Sequence, residues 1–68
     1  MQAFIIVQEK TLEFNDGVLY VMLIKVNDAY GVEIDNTHCM IGRMMVRDEE
    51  QALRLFQLIN KRTHILRL

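Results

Sequence analysis

The chain has 68 residues, of which 51% are apolar and 25% charged, and its formal net charge at pH 7 is −1. This length suits one domain spanning residues 1–68, and the composition is that of a globular protein rather than a disordered one. A net charge this close to zero argues against a purely electrostatic partner such as bulk nucleic acid or an anionic membrane surface.

The chain lacks the usual reinforcements of a small domain. A chain of this size buries only about 60% of the surface that its unfolded form exposes, so disulfides, a metal or association usually supplement the core. Cys39 is the single cysteine, and no Cys/His pairs have the spacing of a zinc site. We therefore expect no metal and no other cofactor, and we expect association with another chain.

The apolar runs are too short to span a membrane. The longest, residues 18–24, is far below the roughly 20 residues that cross a bilayer, and the N-terminus lacks the positive leader of a secretory signal. We expect a cytoplasmic protein with no membrane partner, whose lone thiol stays reduced.

In chain order, the first predicted elements are four β-strands. Residues 3–7 are rich in β-branched and aromatic side chains, and apolar alternation continues over residues 11–14. Asp16-Gly17 predicts a tight turn. Further strands are predicted at residues 18–26, 30–34 and 39–46, separated by turn residues at 27–28 and 35–37.

A helix is predicted to follow the strands, beginning after Asp48. The Asp48 carboxylate can accept a hydrogen bond from the backbone of Gln51 in a capping box. The apolar stripe of this helix consists of Ala52, Leu53, Phe56 and Ile59. We expect the helix to end at residues 60–62, with Lys61 and Arg62 near its last turn. The predicted fold is α+β, a four-stranded antiparallel meander with one C-terminal helix on one face, and residues 63–68 could add a short fifth strand.

The predicted sheet has more apolar surface than one helix can cover. Residues 18–24 are apolar at seven consecutive positions, whereas a sheet with one face in water should alternate. Each large side chain removed from water contributes about 1.5–3 kcal/mol, so covering the outer face would add substantially to the stability of the domain. We predict a homodimer or docking interface at Phe4, Ile5, Tyr20, Met22, Ile24 and Met44. The alternatives are a sheet that curls into a small barrel, or residues 63–68 folded across the open face.

No motif specifies a reaction, and we expect that the chain is not an enzyme. His38 and Cys39 are neighbours, so on a strand their side chains would point to opposite faces; we expect Cys39 to be buried or half-buried. Glu33 lies between Val32 and Ile34 and is expected to face solvent. Gly31 is expected to mark a bulge or a close approach of the backbone, and so is Gly42.

The basic C-terminal half supports an alternative function. Residues 1–42 contain two lysines against six acids, whereas residues 43–68 contain six basic residues against three acids. A dimer could double such a surface into a patch that binds phosphates, although no aromatic residues interleave with it. The residues of this possible nucleic-acid contact are Arg47, Arg54, Lys61, Arg62 and Arg67. A third alternative is a non-catalytic subunit of a larger enzyme.

The C-terminal half carries one resemblance. The stretch Tyr30-Gly31-Val32-Glu33-Ile34, followed by a strand, an acid-capped helix and residues 63–66, resembles small uncharacterised bacterial domains with a Tyr-Gly-Ile-Glu-Ile strand. This resemblance implies the order of strand and helix and no activity. The favoured function is therefore a small protein-interaction or regulatory module that acts as a homodimer, with nucleic-acid binding as the alternative.

Overall fold

A computed structural model describes residues 3–60, which form a four-stranded sheet and one helix. The elements are β1 (Ile5–Phe14), β2 (Gly17–Val26), β3 (Ala29–Asp35), β4 (Met40–Val46) and α1 (Glu49–Leu58). The strands lie in the order β1-β2-β3-β4 and each pairs antiparallel with the next. The predicted α+β meander with a C-terminal helix is confirmed. The fifth strand predicted at residues 63–68 lies outside the described residues.

The strand boundaries depend on two short turns. Residues 15–16 connect β1 to β2, so Gly17 is the first residue of β2 rather than the second turn residue. Between β2 and β3, Asn27 has a φ of 54°, in the left-handed region that asparagine tolerates better than most residues. This turn aligns Val26 with Ala29 and so determines the register of β2 and β3.

Two irregularities change which side of the sheet a side chain faces. The register of β1 against β2 shifts between Ile6 and Gln8, and that of β3 against β4 shifts between Ile34 and Asp35. Val7 and Ile41 are the extra residues at these points. A single inserted residue reverses the alternation beyond it, so apolar residues on both sides of a bulge need not share one face.

The helix begins where the sequence predicts and ends earlier. The carboxylate of Asp48 accepts a hydrogen bond from the backbone N–H of Glu50 at 3.0 Å, rather than from Gln51 as expected. Helix α1 ends at Leu58, and the N–H of Ile59 donates to the carbonyl of Leu55. Lys61 and Arg62, expected near the last turn, lie beyond the described residues.

The core lies between α1 and one side of the sheet, which we call the helix side; the opposite side is the outer side. The helix packs over β2, β3 and β4. The core between the helix and the sheet consists of Leu12, Val21, Leu23, Val32, Ala52, Phe56 and Ile59. A second buried cluster of Met22, Ile24 and Val26 lies on the outer side. Within residues 3–60, no helix has the length and apolar character to cross a membrane.

Candidate interaction surface

The outer side of β2 is largely covered within the chain itself. Met22 is 8% exposed and Ile24 is fully buried, so the prediction that these two side chains offer an open surface is wrong. Pairing places Gly31 beside Ile24 and Met45 beside Gly31. A Cβ on Gly31 would overlap Sδ of Met45 and come within 2.6 Å of the Met44 carbonyl oxygen. The missing side chain therefore lets Met45 lie across the sheet, as the predicted close approach at Gly31 requires.

A buried ion pair crosses the outer side between β3 and β4. Glu33 is paired opposite Arg43, whose Nε donates to Glu33 Oε1 at 2.7 Å and whose Nη2 lies 2.5 Å from the same oxygen. The Glu33 side chain is only 6% exposed, so the expectation that it faces solvent is wrong. The cause is the strand register, which places the guanidinium of Arg43 beside the carboxylate of Glu33. The alternation of apolar and polar residues alone predicts that this carboxylate faces solvent.

Phe4 connects the two edges of the sheet. Its ring centroid lies 5.2 Å from Cζ of Arg43, although β2 and β3 separate β1 from β4 in the sheet. The start of β1 and the long Arg43 side chain therefore meet over the outer side, as in a cation–π contact. Phe4 and Arg43 therefore cover part of the outer side, although β1 and β4 are not paired with each other in the described residues.

Asp35 is the electrostatically unusual residue of the outer side. Its Oδ1 atom is buried, and no described residue donates a hydrogen bond to it. Burial and, to a smaller extent, the neighbouring Glu33 carboxyl raise the pKa of Asp35 while Arg43 lowers it, and together they bring it to about 6. Asp35 therefore holds its proton more tightly than an isolated aspartate does.

The exposed apolar surface is concentrated at the two edges of the sheet. Among the described residues, eleven large apolar side chains are exposed, and eight of them belong to two segments. These are Phe4, just before β1, with Ile5, Ile6 and Val7 at its start, and Met40, Ile41, Met44 and Met45 on β4. In this part of the chain, β1 and β4 are also the edge strands, whose outward backbone groups can pair with another strand.

The remaining predicted interface residues do not share one face. Phe4 and Tyr20 are exposed on the outer side, where Tyr20 is paired opposite Asp35. Ile5 and Met44 are also exposed, but they lie on the helix side, opposite Lys25 and Val32 respectively. The structure therefore divides the predicted interface into a buried pair and two exposed pairs on opposite sides.

The structure contains a groove between α1 and β4 that the sequence patterns did not predict. It has a volume of about 320 Å³ and is lined by Val32, Ile34, Gly42, Arg43, Met44, Leu55 and Ile59. At Gly42 a Cβ would meet no atom within 4 Å, so this part of the groove is open. Leu55 lies beside the predicted apolar stripe of the helix, and the groove arises because the apolar face of the helix extends past β3 towards the edge of the sheet.

The loop between β3 and β4 contains His38 and Cys39. Oδ1 of Asn36 accepts hydrogen bonds from the N–H groups of both residues, at 2.7 and 2.8 Å. Because these bonds form a turn, β4 begins at Met40 and Cys39 is exposed; the expectation that it is buried or half-buried is wrong. Within residues 3–60, no three His, Cys, Asp or Glu side chains come together as a metal site.

The proposed nucleic-acid contacts are only partly described. Arg54 is exposed on α1 and pairs with Glu50 one turn earlier, at 3.6 Å. Arg47 is exposed just after β4 and lines a shallow groove of about 560 Å³ with Val26, Asn27 and Asp28. Lys61, Arg62 and Arg67 lie outside the described residues.

Fold and surface together define a small α+β protein whose meander has one helix on one side and apolar edge strands. Comparison with family models, curated protein sequences and solved structures found no match to this chain. The resemblance to bacterial domains with a Tyr-Gly-Ile-Glu-Ile strand therefore stays a prediction.

Proposed function

We propose that the chain is a non-catalytic protein-interaction module that associates with a second copy of itself through its apolar edge strands. The observation that carries this proposal is the placement of eight exposed large apolar side chains on the start of β1 and on β4. Apolar edge strands are uncommon on proteins that remain monomeric, because an unpaired edge recruits other strands. We place this activity in the cytoplasm, where the exposed thiol of Cys39 stays reduced.

The physical reason for association is the small size of the domain. Each large apolar side chain fully removed from water contributes about 1.5–3 kcal/mol, against a total stability of about 5–15 kcal/mol for a typical domain. The central outer side is already covered by Met45, Arg43 and Phe4, so the remaining gain lies at the edges. Strand pairing would add backbone hydrogen bonds to this apolar contact.

The mass in solution tests the proposal. Sedimentation velocity at micromolar concentrations should give a mass above the 8.0 kDa of one chain, falling towards it on dilution. The double variant Ile5→Lys/Met44→Lys should be monomeric, because both residues are exposed and a lysine on an edge strand opposes pairing. Gln57→Lys, which adds the same charge at an exposed position of α1, should associate like the unchanged chain.

A monomer at every concentration would remove the proposal. Binding of mixed DNA or RNA that weakens steeply with salt would instead support the nucleic-acid alternative.

A further inference from the structure

On the outer side of the sheet, the two edge strands carry side chains of opposite charge. Glu9 and Glu13 are exposed on the outer side of β1, and Arg43 projects from the outer side of β4. Arg47, also exposed, follows the end of β4. Two β1 edges paired with their helices on the same side would gather four carboxylates, and two β4 edges would bring arginines together. Like charges on facing strands are destabilising, so a β1 edge complements a β4 edge better than it complements itself.

The Glu33–Arg43 ion pair leaves room for this contact. Glu33 accepts from Nε and Nη2 of Arg43 through one oxygen, whereas a guanidinium carries five N–H donors. The Arg43 side chain extends over the outer side towards Phe4 and is still 28% exposed. A carboxylate from a neighbouring copy can therefore approach it without displacing Glu33.

The position of α1 also distinguishes the two edges. The helix lies over β2, β3 and β4 rather than over β1. A β1 strand added beside β4 of another copy would bring no helix of its own over the junction. Two β4 strands joined with their helices on the same side would instead bring two copies of α1 against each other.

The groove between α1 and β4 is apolar and open at Gly42, and its lining includes Met44 and Leu55. Ile5, on the helix side of β1, is 65% exposed, the largest fraction among the described large apolar side chains. We propose that the β1 edge of one copy pairs with the β4 edge of the next, with Ile5 placed in this groove. The inference rests on the self-association proposed above and specifies its geometry.

A contact between two different edges has a structural consequence. Each copy contributes one β1 edge and one β4 edge, so the interface is heterologous, and the copies either close into a ring or extend as an open chain. A two-fold symmetric dimer would instead pair identical edges.

Complementation between two edge variants tests this geometry. Ile5→Lys blocks the β1 edge and leaves β4 intact, whereas Met44→Lys blocks the β4 edge and leaves β1 intact. Each variant alone should be monomeric by sedimentation velocity. Mixed in equal amounts, they should form a dimer containing one copy of each, because one intact β1 edge then meets one intact β4 edge. Tagging one variant and measuring the mass of the purified complex gives the stoichiometry.

Each other outcome overturns the inference. If Ile5→Lys alone still dimerises and Met44→Lys does not, β4 pairs with β4; the reverse result means that β1 pairs with β1. If both variants are monomeric and the mixture is too, the contact is not between these edges, although self-association of the unchanged chain would stand. Circular dichroism checks that each variant folds, and Val7→Lys and Met40→Lys, at other exposed edge residues, replace any variant that does not.

Discussion

Lys10 on β1 donates a hydrogen bond from Nζ to the carbonyl oxygen of Phe56 on α1, at 2.7 Å across 46 residues of sequence. The same ammonium lies 4.5 Å from the centroid of the Phe56 ring. The Phe56 carbonyl belongs to the last turn of the helix, whose carbonyl groups lack partners within the helix and favour a nearby cation. An edge strand thus supplies the basic group that the sequence pattern assigns to Lys61 and Arg62, and burial lowers the pKa of Lys10.

Replacing Lys10 by methionine should lower the free energy of unfolding by about 1–2 kcal/mol, because a charged hydrogen bond to a helix carbonyl is lost while the aliphatic stem is kept. Urea denaturation at pH 7 measures the change. Lys25→Met is the matched control, since its ammonium lies 5.5 Å from the Tyr30 ring and should contribute less than about 1 kcal/mol. Equal losses in the two variants would show that the bond to Phe56 has no particular role.

The two strand glycines should respond differently to replacement by alanine. Gly31→Ala places a Cβ against Met45 Sδ and within 2.6 Å of the Met44 carbonyl oxygen, and should destabilise by about 1–3 kcal/mol. Gly42→Ala meets no atom within 4 Å and should be close to neutral. Thermal unfolding of both variants tests this. Adding Met45→Ala to Gly31→Ala should restore only part of the loss, because the backbone contact remains; complete restoration would mean that Met45 alone causes it.

The pKa of Asp35 predicts a pH dependence of stability. Because the pKa rises from 3.8 to about 6 on folding, the folded chain binds more protons than the unfolded chain between these values. This carboxyl should therefore lower the free energy of unfolding as the pH rises from about 4 to about 6. Asp35→Asn should remove that decline and stabilise the fold at pH 7 by about 1 kcal/mol, because water screens the charge of this partly exposed carboxyl.

Denaturation of the unchanged chain and of Asp35→Asn across this pH range provides the comparison, with Glu13→Gln, an exposed carboxyl of β1, as the control. The prediction fails if the difference in stability between Asp35→Asn and the unchanged chain is the same at pH 4 and pH 7.

Removing Arg43 should cost more stability than removing its partner's charge. Arg43→Met leaves the Glu33 carboxylate buried without its cation and should destabilise by about 2–4 kcal/mol. Glu33→Gln leaves a partly exposed guanidinium and should destabilise less. Arg54→Met, which breaks the exposed pair with Glu50, should change stability by less than about 0.5 kcal/mol. Chemical denaturation of the three variants at one pH ranks them, and a smaller loss for Arg43→Met than for Glu33→Gln would contradict this account.

Arg43→Met should also raise the pKa of Asp35 further, since Arg43 favours the charged form of that carboxyl. The pH at which stability declines should then move upward, which the same denaturation series would detect. If the pH of this decline does not change, Arg43 does not influence the pKa of Asp35.

Local patterns were sufficient to predict the four strands, their antiparallel order and the helix. Turn residues at 15–17 and 27–28 interrupt the apolar runs, and Asp48 provides the helix cap because its carboxylate reaches a nearby N–H group. Such features depend on residues within a few positions of one another, so the sequence contains them directly. The excess of apolar residues over what one helix can cover, which motivates the proposed association, can likewise be read directly from the sequence.

Which side chains of the sheet are covered could be decided only from the tertiary structure. Alternation assigns Glu33 to water and Met22 and Ile24 to an open face, but strand register places Arg43 beside Glu33 and Met45 across Gly31. The single extra residues at Val7 and Ile41 then reverse the alternation and put Ile5 and Met44 on the helix side. These contacts join residues that are distant in sequence. The face of the sheet on which each residue lies depends on the alternation along its strand, which one bulge residue reverses. Composition and short-range pattern therefore determine the elements, whereas register decides which apolar side chains remain exposed.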